Sequence, residues 1–227
     1  MENEHIVARF DRDLSKIKAI ILEMGTLVNA QLKGATDALM DFETAEIDAL
    51  VATDRKINGM NKKVHDRAEQ LIALRQPMAL DLREAMLPVQ IAGELERLGD
   101  HAKSTAKRVR KLTENATAED ALNNIGEMST DVQSMLTDVL VAYRDSNIAL
   151  AAEIRERDLA IDAVNKKVFA QVVSAIKDNP KDAETLIHMI LLARNFERAG
   201  DHVVNISRQI HHIVTGEDLK ASAGNHT

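Results

Sequence analysis

Two six-residue blocks carry the densest chemistry in the chain. Glu96-Arg97-Leu98-Gly99-Asp100-His101 and Glu197-Arg198-Ala199-Gly200-Asp201-His202 differ at a single position. In each, a Glu and an Asp stand four apart, and on a helix such residues share one face. Two further pairs have the same spacing: Asp54 with Asn58, and Asp158 with Asp162. Neighbouring carboxylates repel, by ~0.7 kcal/mol at about 6 Å in a water-like dielectric and by ~3 kcal/mol at an effective dielectric near 20. Two such helices packed side by side gather an all-oxygen cluster, which suits a hard or borderline cation such as Mg²⁺, Mn²⁺, Ca²⁺, iron or zinc. The expectation is one open site per repeat for a divalent or trivalent metal ion. Asp54, Asn58, Glu96 and Asp100 form the first; Asp158, Asp162, Glu197 and Asp201 form the second. Asn58 supplies a neutral oxygen and weakens the first. For a lone pair of this kind a solvated charged face is the better explanation, because Arg97, Lys103 and Lys107 lie within reach of Glu96 and Asp100. The duplication, glycine and histidine included, puts the metal reading on an equal footing with it.

The elements that must position these residues follow from an internal repeat. Segment 24–74 aligns without a gap on 128–178. Met24, Val28, Leu32, Asp41, Asp54 and Ile57 fall on Met128, Val132, Leu136, Asp145, Asp158 and Ile161, and Asn61-Lys62-Lys63-Val64 falls on Asn165-Lys166-Lys167-Val168. The acid blocks align at an offset three residues shorter, so the difference is absorbed near Pro77 and Pro180, which mark equivalent turns. Helices are predicted over about 6–42, 45–75, 80–113, 118–146, 149–177 and 181–215, with Gly216 as the last C-cap. Pro88, without a counterpart in the second repeat, either kinks the third helix or starts it. The reading is an all-α protein of two tandem antiparallel three-helix bundles: residues 1–115, residues 116–217, and a flexible tail over 218–227.

Heptad spacing marks the cores. Ile91, Leu95, Leu98, Ala102, Thr105, Val109 and Leu112 form one seam; Leu192, Phe196, Ala199, Val203, Ile206, Ile210 and Ile213 form its partner. At ~100° per residue, Glu96, Asp100, Glu197 and Asp201 fall ~140–180° from these seams, outside the core. Gly99 and Gly200 lie on the flanks, where a mid-helix glycine costs ~1 kcal/mol against Ala and points to a close neighbour. His101 and His202 point away from the acids. His211-His212 suits a helix C-terminus.

Composition excludes several classes. Aromatic residues are 2%, glycines number 9 and prolines 3, too few for a β-sandwich or barrel. No Gly-rich phosphate loop is present. With no cysteine there are no disulfides, thiolate sites or cysteine nucleophiles. A net charge of −7 argues against nucleic acid. No apolar run is long enough to span a bilayer, and the charged start has no secretory pattern, so a cytoplasmic protein that meets membranes only through partners is expected. A carboxylate-bridged di-iron enzyme would want Glu-x-x-His pairs facing a bundle core, and only Glu2 to His5 has that spacing.

The two blocks, extended to Glu94-Leu95-Glu96-Arg97-Leu98-Gly99-Asp100-His101 and Asn195-Phe196-Glu197-Arg198-Ala199-Gly200-Asp201-His202, resemble the PhoU family, and so does nearly the whole repeated chain. The resemblance implies a non-enzymatic accessory protein of the phosphate-specific ABC transporter, with cytoplasmic location and homodimers. It implies contact with the transporter's ATPase subunit and with the phosphate-sensing histidine kinase, and restraint of the phosphate-starvation response. It also implies metal clusters on acid-x-x-x-acid pairs: Glu96 and Asp100, Asp158 and Asp162, Glu197 and Asp201, with Asp54 matched and Asn58 departing from the pattern. The alternative is a helical metal-binding accessory protein of another transporter with no role in phosphate signalling.

Overall fold

The computed structural model describes residues 2–112 and 118–216, with the side chains described from residue 8 onward. The expected junction between repeats at 113–117 and the expected tail lie outside the described residues. Six helices follow one another: α1 (Glu2–Met40), α2 (Ile47–Arg75), α3 (Leu80–Val109), α4 (Glu119–Asp145), α5 (Ile148–Asp178) and α6 (Ala183–Thr215), with a 3₁₀ turn, Pro180–Asp182, before the last. Each predicted helix is present, and its ends fall within a few residues of expectation. Pro88 lies within α3, which starts earlier at Leu80, so this proline does not open the helix.

The turns are made by local chemistry. α2 ends where Gln76 takes a left-handed conformation (φ 47°) and its N–H closes on the Ile72 carbonyl at 2.9 Å; Pro77 then prevents continuation. α4 ends the same way at Ser146 (φ 52°), and the Asn147 side chain accepts the Leu150 N–H at 3.1 Å to cap α5. At the end of α6 the left-handed residue is Gly216, for which that conformation carries no Cβ penalty.

In each repeat three helices pack together, α1–α2–α3 and α4–α5–α6, and the repeats join along α1 with α4 and α3 with α6. One apolar core runs through both. The predicted seams are buried, apart from Leu112, which is half-buried. Small residues extend the buried surface on the same helices: Ala92, Gly99 and Ala106 on α3, and Ala193, Gly200 and Ser207 on α6. This second stripe is needed because α3 and α6 each touch three other helices, whereas α2 and α5 stand at the outside. Between α1 and α4, the buried Thr36 and Ser129 hydroxyls share a hydrogen bond.

Gln76 is exposed, and its left-handed backbone is one that residues with a Cβ adopt at a cost. Gln76→Gly is expected to stabilise the fold by up to about 1 kcal/mol, seen as a higher urea midpoint at unchanged slope.

Candidate functional site

Asp100 and Asp201 are exposed, Glu96, Asp158, Asp162 and Glu197 are half-buried, and Asp54 is buried. Asp54 comes from α2 and Glu96 and Asp100 from α3; Asp158 and Asp162 come from α5 and Glu197 and Asp201 from α6. Within each repeat the acids of the two helices act on one another. Glu96 is raised above the usual carboxylate range by burial and then by the charges of Asp100 and Asp54. Asp158 is pushed up to about 7 by burial and by the charges of Asp201, Asp162 and Glu197. Glu197 is raised by burial and by Asp201, and Asp201 by burial and by Asp162. Asn58 is exposed, and no polar contact ties it to the acids of its repeat.

The glycines explain the closeness. A Cβ on Gly200 would stand 2.6 Å from Asp158 Oδ1, so the absence of a side chain there lets the α5 carboxylate lie against α6. At Gly99 the neighbour is instead Ile57 Cδ1, at 3.0 Å. Both glycines serve the close helix approach that their cost implied.

The clusters differ in how their charge is answered. In the first, the Lys103 ammonium donates to Asp54 Oδ2 at 2.9 Å and to Asp100 Oδ1 at 2.5 Å. Burial opposes the lysine's charge, but the two carboxylates outweigh it and hold its pKa above the ordinary value. In the second, His202 and then Arg208 and Arg198 favour ionised Asp201, and Arg208 favours ionised Asp158, all without a direct ion pair, and Glu197 Oε2 is buried with no hydrogen-bond partner. Among the described residues, no three or more His, Asp or Glu side chains are arranged to hold a metal ion. The second cluster has four carboxylates and, at Glu197, an orphaned buried oxygen. In the first, an ammonium already answers two of the acids.

The histidines of the blocks belong to the joint between repeats. The His101 and His202 rings stack with centroids 5.4 Å apart and planes 28° from parallel. His202 Nδ1 meets Glu94 Oε2 at 2.7 Å, and Asn205 donates to the same oxygen at 3.4 Å. Burial raises the Glu94 carboxyl, but these two bonds outweigh it and bring it below its usual range. Burial and the nearby charges of His202 and Arg198 lower His101 to about 4. Sequence reasoning did not pick out Glu94 and Asn205 here. The signal was available, because the repeat places Glu94 opposite Asn195 and so breaks its own symmetry beside two conserved-in-repeat histidines. Of the repeated lysines, Lys62, Lys63 and Lys166 are exposed, and Lys167 is exposed but donates to Asn124 at 3.2 Å.

Comparison with known proteins agrees with this architecture. The family model described as the PhoU domain matches residues 21–109 and 125–210, one match in each repeat. The chain belongs to the PhoU family. A phosphate-specific transport system accessory protein PhoU homolog from Caulobacter vibrioides (strain NA1000 / CB15N) is 34% identical over 216 residues, covering 95% of this chain and 94% of its own. A homolog of the same name from Rhizobium meliloti is 32% identical, covering 95% and 91%. The crystal structure of PhoU from Pseudomonas aeruginosa superposes with a TM-score of 0.87 at 27% identity, covering 92% of this chain and 100% of that one. The phosphate transport system regulatory protein PhoU from Streptococcus pneumoniae gives 0.85 at 28% identity, covering 93% and 100%.

Asp158 yields a pH prediction. Its folded pKa lies above its unfolded one, so between about pH 4 and 7 the folded chain holds a proton that the unfolded chain has released. Stability therefore falls as pH rises across that window and levels off above it. In chelator-treated protein, Asp158→Asn is expected to flatten this slope and raise the melting temperature at pH 8. A melting temperature at pH 8 that stays the same or drops contradicts the assignment.

Proposed function

We propose that this chain is a non-enzymatic regulatory adaptor of phosphate uptake, active in the cytoplasm as a homodimer. It restrains the phosphate-starvation response by linking the ATPase subunit of the phosphate ABC transporter to the phosphate-sensing histidine kinase. The observation that carries this reading is the PhoU-domain match in both repeats, supported by relatives named as accessory proteins of phosphate-specific transport along nearly the whole chain. The geometry is compatible with an adaptor. Two three-helix bundles share one core and present long outer helix faces. Among the described residues no helix is long and apolar enough to cross a membrane, so membrane contact is assigned to the partners.

The same proposal places a metal ion, of the Mg²⁺, Mn²⁺, iron or zinc class, at Asp158, Asp162, Glu197 and Asp201. There it would neutralise carboxylates that otherwise raise one another's pKa values. The support is the donor set and the unpartnered Glu197 oxygen.

Deleting the gene is expected to switch on phosphate-starvation genes in phosphate-rich medium, read as alkaline phosphatase activity. A pull-down from phosphate-replete cells is expected to bring the transporter ATPase and the sensor kinase with the chain. Unchanged starvation-gene expression in the deletion strain, or capture of a different transporter's ATPase, contradicts the proposal.

A further inference from the structure

The two clusters part company at one aligned position. Three residues after Asp100 stands Lys103; three residues after Asp201 stands Val204. The lysine side chain is 24% exposed and bridges two carboxylates on different helices, Asp54 on α2 and Asp100 on α3. Val204 is buried and brings no charge. Asp54 is 6% exposed, an extent of burial that a carboxylate tolerates only with a partner, and Lys103 is that partner. Its second oxygen, Oδ1, is buried without a hydrogen-bond partner. The first cluster thus keeps unused oxygen capacity but has an ammonium where a cation would sit. An ammonium and a metal ion repel each other and compete for the same carboxylate lone pairs. The difference at Asn58 acts in the same direction, leaving three acids and one cation in the first cluster against four acids in the second.

We propose that Lys103 is the built-in cation of the first cluster and closes it to metal. Metal binding by this chain is then confined to the second repeat, a confinement that rests on the metal reading of that repeat, whereas the closure by Lys103 stands without it. Lys103 fixes α2 to α3 through Asp54 and Asp100, a connection that needs no ion from solution. Removing the ammonium while keeping the acids opens the first cluster.

The test is Mn²⁺ binding by isothermal titration to the full chain carrying Asp158→Asn and Asp201→Asn, so that only the first cluster remains. With Lys103 present, no binding is expected up to roughly 1 mM. Adding Lys103→Met is expected to create a site at least about tenfold tighter than that limit, and adding Asp54→Asn as well to abolish it. Lys103→Gln, which keeps a donor but not the charge, serves if the methionine variant fails to fold. Mn²⁺ bound near Asp54 with Lys103 in place overturns the proposal, as does a folded Lys103 variant that gains no site. A second measurement needs no substitution: Mn²⁺ added to the unaltered chain should broaden NMR signals around Asp158 and Asp201 and spare those around Asp54. Broadening around Asp54 overturns the closure by Lys103. Failure of the second-repeat reading shows separately, as no difference in Mn²⁺ binding between the unaltered chain and the Asp158→Asn, Asp201→Asn variant.

Discussion

Carboxylates on closely packed helices cannot move apart, and the rest of the structure answers their repulsion. Gly99 and Gly200 bring α2 against α3 and α5 against α6, and the acids of each pair of helices are then held within each other's fields. There are three ways to relieve such a field: an internal cation, a bound proton or a bound ion. The first repeat takes the first course with Lys103. The second has no equivalent side chain, and its Asp158 shifts toward the protonated form, to about 7. The two copies thus share three of the acids and the glycine but settle their charge differently.

This difference sits on a frame that the two repeats share. α1, α3, α4 and α6 make the contacts between the repeats, whereas α2 and α5 add buried residues to the same core from the outer side of their own repeats. The stacked His101 and His202 rings and the Glu94–His202 bond lie on the α3–α6 contact, one position along the helix from Asp100 and Asp201. The acid clusters and the joint between repeats are therefore built from neighbouring faces of the same two helices. Any change in charge at the clusters acts on helices that also set how the repeats fit together.

Much of this was legible before the structure. Heptad seams at Ile91 to Val109 and Leu192 to Ile213 identified buried faces, and prolines and glycines identified turns. The offset between repeats identified which residues are equivalent. Two things were not legible. The second buried stripe on α3 and α6 consists of Ala, Gly and Ser, whose low hydropathy hides their burial; only the contact with three neighbours requires it. The burial of Asp54 was also hidden, because a carboxylate is buried only where a partner reaches it, and that partner, Lys103, comes from another helix. Reach along one helix placed Lys103 near Asp100, but no spacing rule connects it to Asp54. The comparison of Lys103 with Val204 becomes informative only once the packing shows what Lys103 holds.

The central claim is that the acids of the second cluster carry charge that no side chain among the described residues neutralises directly. The most direct measurement is a ¹³C NMR titration of the Asp158 side-chain carboxyl in chelator-treated, full-length protein. The account predicts a midpoint near pH 7. A midpoint near pH 4, the value of an ordinary exposed aspartate, contradicts it.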